Sequence, residues 1–364
     1  MRPSSPSKAG RGSHIRFEAL PTGSSSRWSL FFLLGPFFGL LLFFWAIPLG
    51  LGVDLALQNP EYMPDHRGAG SLSDSSSGQG VGLSPAGSID WLNVSWEPVA
   101  EEPSEEVSAP VEKYVGLANY SYVLGDPKFH KALWNTSLYV AGTLAFVLPI
   151  AFFLAHFLMQ LPAGIRPFFS FLLLLPGLCL PGVLSTLFHL FFHGREGALN
   201  QFIVVPLGFE PVNWMMDPTF VLPSLILQSV WRWTGFVTLF FLCGMEAVPK
   251  LYYEVSRIEG ASSWRTLRCV TLPAVRHVAV FTSVFLIVDG FASFSGAYNL
   301  LGGSGGILDS GLLLVSYVYQ VAFPGGSGQF DFPAASAMSL LVVPMTAMIL
   351  FALLFLRFRP DFSR

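Results

Sequence analysis

Apolar residues run almost unbroken through six stretches of the chain: Trp28 to Leu49, Leu133 to Leu158, Pro167 to Phe191, Phe220 to Ala247, Val278 to Leu301 and Ala334 to Leu356. A bilayer core is spanned by roughly 17–25 residues at helical rise, so each run is long enough to cross. Inside lipid every backbone N–H and C=O must find a partner within the protein, which a helix provides along its own length. The pattern predicts an all-α polytopic membrane protein with about six transmembrane helices. Composition agrees: 52% of the 364 residues are hydrophobic and 12% charged, against about 25% charged in a soluble domain.

Lys and Arg in short connections predict orientation, because they are retained on the cytoplasmic side. Residues 1–27 form a basic tail with Arg2, Lys8, Arg11, Arg16 and Arg27 against one acid, Glu18. Arg357, Arg359 and Arg364 lie at the other end, and residues 360–364 form a second tail. Both termini are therefore expected in the cytoplasm, together with Arg166 and the basic loop at 249–277. Residues 51–130 hold twelve acidic and three basic residues and are placed outside. The first run, 28–50, is read as a retained anchor, since its length of about 22 apolar residues exceeds the 7–15 of a signal sequence. Cys179, Cys243 and Cys269 suggest neither a disulfide framework nor a metal site.

An extracytoplasmic insertion follows the anchor over residues 51–115. Its Gly/Ser-rich part, 68–88, is too polar to build a core and is expected to be partly disordered. The stretch from Ile89 to Val99 alternates enough for one short strand, and Pro and Glu dominate from Glu97 to Glu112. That last piece reads either as a docking patch for an extracytoplasmic protein or as a solvated acidic spacer.

One polar stretch interrupts the apolar pattern, YYEVSRIEGASSWRTLRCVTLP, Tyr252 to Pro273. Leu251, Val255 and Ile258 form one helical stripe, and Trp264, Leu267 and Val270 a second. Gly260 stands between them, where glycine permits a bend or a close backbone approach. Pro273 suits the first turn of the next helix. A helix, a turn and a helix lying along the cytoplasmic face are predicted.

The same stretch resembles the EAA motif of ABC-importer permeases, in which E-A-A, D-G-A and a terminal L-P recur at fixed spacing. Glu254, Gly260, Ala261, Leu272 and Pro273 match that pattern. Val255 and Ser256 replace the two alanines, Glu259 the aspartate, Leu267 a phenylalanine and Val270 an isoleucine. Gly116 to Thr136 and the run from Val230 into the loop are similar to maltose-like and glycerol-phosphate-like permeases, as is GALN at Gly197 to Asn200. The resemblance covers roughly 116–359, a permease core of five helices with the loop at 249–277.

This resemblance implies a type I importer permease for a sugar or related polyol or sugar phosphate, in a bacterial inner membrane. It implies that the loop docks on a cytoplasmic ABC ATPase dimer, with Glu254, Val255, Ser256, Arg257 and Glu259 on its first limb. Gly260 would let the backbones approach and Ala261 would keep that contact small. Leu267 belongs to the loop at the motif's phenylalanine position, and Leu272 and Pro273 would fix the lever to the fifth crossing. A second, homologous permease chain and an extracytoplasmic solute-binding protein are the other implied partners. A permease for an amino acid, phosphate or oxyanion is the alternative within the family. No G-x-x-x-x-G-K-[ST] phosphate loop occurs. The chain is therefore expected to be a transport subunit rather than an enzyme and to bind no cofactor itself, with ATP-Mg at the partner ATPase and no nucleic acid involved.

Polar groups in lipid tend to mark a pathway. In the fifth run Asp289, Ser293, Ser295, Tyr298 and Asn299 qualify, and Trp231 and Trp233 in the fourth could stack on a sugar ring. Asp289 faces either substrate or the companion subunit. A gradient-driven secondary transporter would show ionisable residues deep in several helices or broken inverted repeats. An intramembrane hydrolase would show a convergent nucleophile and base. A structural membrane protein would leave the loop's register unexplained.

Overall fold

The computed structural model describes residues 25–60, 113–323 and 331–358, with side chains from residue 34 to 355. The tails, the Gly/Ser-rich stretch and the strand expected near Trp91 lie outside the described residues. Two units are distinguished, residues 1–51 and 52–364. In the first, α1 (Ser25–Leu57) begins; its side chains from Leu34 to Leu49 are exposed, and they are almost wholly apolar. That is the surface of a helix that lies in lipid.

The second unit is helical, with one isolated bridge and no strand among the described residues. Asp-Pro pairs start its two longest helices within the bundle. Asp126 accepts from Lys128 N at 2.9 Å ahead of α3 (Pro127–Gln160), and short α2 (Ala118–Gly125) precedes it. Asp217 does the same for Thr219 N, also at 2.9 Å, ahead of α6 (Pro218–Glu246). The carboxylate caps an orphan N–H, and proline at the first position lacks the donor that would have gone unpaired.

Among the described residues four helices are long and apolar enough to cross a membrane, or up to six spans if each of two bent pairs counts as one. The second bent pair joins Ser263–Ala274 to Arg276–Phe291. Of the six runs that the sequence predicted as continuous, the structure breaks 167–191 and 278–301. Run 167–191 is α4 (Arg166–Leu178) and α5 (Pro181–Phe191), meeting at 93°. Pro181 removes a donor and forces Leu180 into extended backbone, φ −60° and ψ 135°. Run 278–301 is α10 (Arg276–Phe291) and α11 (Ser295–Leu300), separated by non-helical Phe294. Shorter α12 (Leu314–Ala322) and the last long helix α13 (Phe332–Phe358) complete the unit; α7, α8 and α9 are described below.

Without a hydrophobic drive between helices in lipid, close packing depends on small residues. Gly235 of α6 lets α4 approach so closely that a Cβ there would sit 1.6 Å from the Leu173 carbonyl oxygen. Gly290 of α10 does the same against Val140 of α3. Two apolar clusters result. One joins Phe152, Val237, Met245, Leu267 and Val275; the other gathers Phe188, Leu225, Leu300, Leu314 and Met338.

At the second cluster's end, loops are clasped rather than free. The Tyr317 hydroxyl donates to Asp126, and burial followed by that bond pushes the phenol above its ordinary range. Lys128 lies 3.9 Å from Asp309, which like Leu308 has a positive φ, near 55°. Asp331 accepts from Ala334 N at 2.9 Å, and burial pushes its carboxyl up.

The anchor helix passes the boundary at 50 that the sequence suggested, running to Leu57. There the chain meets its own return: Asn59 N donates to Lys113 O and Val115 N to Leu57 O, both at 2.9 Å. The buried Asn119 amide then holds the carbonyls of Ala56 and Gln58 at 2.9 and 2.8 Å. Both ends of the insertion are thus joined by main-chain bonds, and only 61–112 fall between them.

Candidate functional sites

Helix α6 gives way at Ala247, and extended Pro249 opens α7 (Lys250–Ile258). The end of α7 is a Schellman cap. Ala261 N donates to Ser256 O at 3.0 Å and Gly260 N to Arg257 O at 3.0 Å, with Gly260 at φ +70°. Only glycine takes that left-handed conformation without steric cost. A Cβ at Gly260 would meet nothing within 4 Å, so within this chain the glycine serves the turn and not a close approach. Ser262 then caps α8 (Ser263–Thr266), and a wide turn over Leu267–Thr271 leads to α9 (Leu272–Ala274). Counted from Ser263, this limb meets α10 at 62°.

The motif residues separate by direction. Leu251, Val255 and Ile258 are exposed to 65%, 42% and 86%, and Glu254, Arg257 and Glu259 are exposed beside them. Ser256 and Leu267 are turned inward, and Ala261 and Val270 are half-buried. The Ser256 hydroxyl lies 2.5 Å from that of Thr266, tying one limb to the other, while Leu267 enters the first apolar cluster. The serine that departs from the alanine of the motif thus sits between the limbs, away from the exposed face. Leu272 and Pro273 are exposed where the second limb rejoins the bundle.

The second site lies between helices. Tyr139 of α3, Gln228, Ser229, Arg232 and Trp233 of α6, and Ser293 after α10 line a cavity of about 20 Å³. Gln228 Nε2 donates to Ser185 Oγ at 3.1 Å, and Ser185 donates to Gly296 O at 3.0 Å, linking α6 to the start of α11 through α5. Tyr139 meets the hydroxyls of Ser229 and Ser293. The Arg232 guanidinium stacks on Trp233 at 4.6 Å, and Asp289 lies against the Trp233 indole within reach of the charge of Arg232. The Nε of Arg232 is buried without a hydrogen-bond partner among the described residues.

Of the path candidates, the structure brings Asp289, Ser293 and Trp233 together. It places the others elsewhere. Trp231 packs on Phe188 with centroids 5.6 Å apart, Tyr298 joins Phe294 and Tyr319, and Ser295 and Asn299 are exposed. Sequence reasoning missed Tyr139, Gln228 and Arg232. Gln228 and Arg232 carried a signal, two strongly polar residues one helical turn apart in an apolar run.

A helical membrane bundle with a short capped hairpin invites comparison with known proteins. The family described as binding-protein-dependent transport system inner membrane component matches residues 132–359, more than half of the chain. The chain belongs to that family. It is a multi-pass membrane transport component. The arabinooligosaccharides transport system permease protein AraP of Bacillus subtilis (strain 168) is 36% identical over 231 residues, covering 63% of this chain and 72% of that protein. The lactose transport system permease protein LacF of Rhizobium radiobacter is 27% identical over 241 residues, 66% of this chain and 79% of its own. Among solved structures, a chain of a bacterial ABC transporter involved in import of the acidic polysaccharide alginate superposes with a TM-score of 0.66 at 16% identity, over 92% of this chain and 98% of that one. A second solved structure, of a bacterial alginate ABC transporter in complex with an alginate pentasaccharide-bound periplasmic protein, gives 0.58 at 18% identity over 66% of this chain and 82% of that one. At these identities the two structures attest the fold.

Proposed function

We propose that this inner membrane component is one of two homologous permease chains in an ATP-driven importer of a sugar or a related polyol or sugar phosphate. The exposed apolar stripe of α7 carries this reading: three large side chains face water on a nine-residue helix that is capped and tied to the bundle. A solvated helix gains nothing from that face, whereas an ATPase groove would cover it. Glu254 and Glu259 beside it would meet basic groups of the ATPase, where ATP-Mg is bound and hydrolysed. The Ser256–Thr266 bond makes the two limbs move together, so displacement of α7 reaches α10 through Leu267.

The basic tails and basic connections support a cytoplasmic placement of both termini and the hairpin, in a bacterial inner membrane. The sugar named for each relative supports the substrate class, as does the concentration of hydroxyl, amide and aromatic groups around Tyr139. A periplasmic binding protein would deliver substrate from the opposite side.

The decisive experiment is purification from native membranes in mild detergent, with every associated chain identified by mass spectrometry. The wild type should retain an ATPase and a second permease, and Glu254→Ala combined with Gly260→Pro should lose the ATPase. Failure to recover any ATPase with the wild type, even after gentle crosslinking, would overturn the reading.

A further inference from the structure

A cavity of about 550 Å³ lies between α3, α6 and the second limb of the hairpin, apart from the polar cluster and from the exposed face of α7. Its floor is apolar, with Leu148, Phe152, Phe153, Phe241 and Val280 among its walls. Its other walls include two basic residues and an aromatic one: Arg268, Arg276 and Trp264.

Neither guanidinium has a hydrogen bond or ion pair among the described residues, and both arginines are exposed. Arg276 is the first residue of α10, and Arg268 lies in the wide turn that precedes α9. Leu148 lies twelve residues before Gln160, the end of α3, roughly 18 Å along the helix at 1.5 Å per residue. The trough therefore runs from the depth of acyl chains to the level of headgroups, with positive charge only at the outer end. Trp264 is 63% exposed beside it, as aromatic side chains are at the boundary between membrane and water.

We propose that this trough is a binding site for an anionic phospholipid, its phosphate held by Arg268 and Arg276 and its first acyl carbons lying on Phe153 and Val280. Basic pockets between membrane helices favour such headgroups. The volume falls within the roughly 300–1,000 Å³ of small-molecule sites. A neutral, wholly apolar occupant would leave two guanidinium groups without a counter-charge, and a second protein helix would need an acidic pair at this level. The occupied site would join α3 to the hairpin's second limb through a lipid, so that the limb is held by the membrane as well as by Leu267.

The test uses the intact transporter, purified with its associated chains, stripped of lipid by detergent washing and titrated with phosphatidylglycerol or phosphatidylcholine under native mass spectrometry. Wild type should bind one phosphatidylglycerol tightly. Arg268→Gln with Arg276→Gln should weaken it by about thirtyfold, roughly fivefold for each basic side chain near a membrane surface, and leave phosphatidylcholine unchanged. Val280→Trp, which fills the floor and keeps both charges, should also lose the lipid. Equal phosphatidylglycerol binding by wild type and the arginine double variant would overturn the proposal. So would a photo-crosslinker at Val280 that captures another transporter chain in place of lipid, which would make this face a subunit interface. Both arginines are exposed, so the double variant tests the charge without disturbing the core.

Discussion

In the hairpin of residues 250–274 apolar side chains stand in the open, whereas around Tyr139 polar side chains are enclosed by apolar ones. Each region is a misfit in its own solvent, and the two are stabilised differently. The hairpin is held by backbone: a glycine cap, a serine cap and one hydroxyl pair leave its outer face free to be covered. The cluster is held by its own side chains, Gln228 to Ser185 to Gly296 and Tyr139 to its two serines, so it is closed unless helices move. A surface that awaits a partner can be built from few residues close in sequence. A polar cluster enclosed within a helical bundle needs contributions from several helices, and opening it would break bonds already made.

The largest effect should come from disturbing the packing beneath the cluster. In Gly235→Val the added carbons meet the Leu173 carbonyl, which belongs to backbone and cannot rotate away. Overpacking costs about 1–3 kcal/mol, occasionally more. Yield and thermal stability of the purified chain should fall sharply, with α4 becoming accessible to protease.

Next is Ile258→Asp. The side chain is 86% exposed, so stability of the permease alone should change by no more than about 0.5 kcal/mol. ATPase retention should nevertheless drop by at least about tenfold, the cost of leaving a charge in a desolvated interface. Unchanged retention would mean that the partner does not use this face.

Arg232→Met and Asp289→Asn probe the cluster. Each should cut transport several-fold while ATPase retention stays at the wild-type level. If the two groups act through one another, the double variant should be no worse than the poorer single one, a non-additivity expected of groups in one network. Additive losses would separate their roles.

The smallest effect is a pH dependence at the clasped end. Burial raises the Asp331 carboxyl in the folded state, so its contribution to stability is full below the ordinary carboxylate value and is lost as pH rises through the folded one. Asp331→Asn keeps an acceptor for Ala334 N and removes the titration. Thermal unfolding between pH 4 and 7.5 should show a shallower decline with rising pH in the variant than in the wild type.

The hairpin was legible because its signals are local. Stripe spacing, Gly260 and the prolines mark helix, turn and helix within about twenty residues of chain. The spans were legible from composition. The bend between α4 and α5 was not, because Pro176 and Pro181 interrupt an apolar run without revealing its angle. The cluster was legible only in part: Asp289, Ser293 and Trp233 are polar or aromatic oddities, but Tyr139 comes from α3 and Ser185 from α5. No spacing rule relates residues on separate helices, and so Tyr298 and Asn299, near in sequence to Ser293, were grouped with it although they face elsewhere.

The closure at Asn119 also bears on how this chain can vary. Leu57, Asn59, Lys113 and Val115 meet as neighbouring backbone, so the two ends flanking 61–112 lie side by side. Closing a flexible loop costs only about 0.6 kcal/mol more for each doubling of its length. Between such fixed posts the intervening chain can be shortened, lengthened or exchanged for a folded cargo whose own ends lie close together, with little strain passed to the helices. The junction is a ready-made socket, and a fluorescent domain seated there would report on a working transporter.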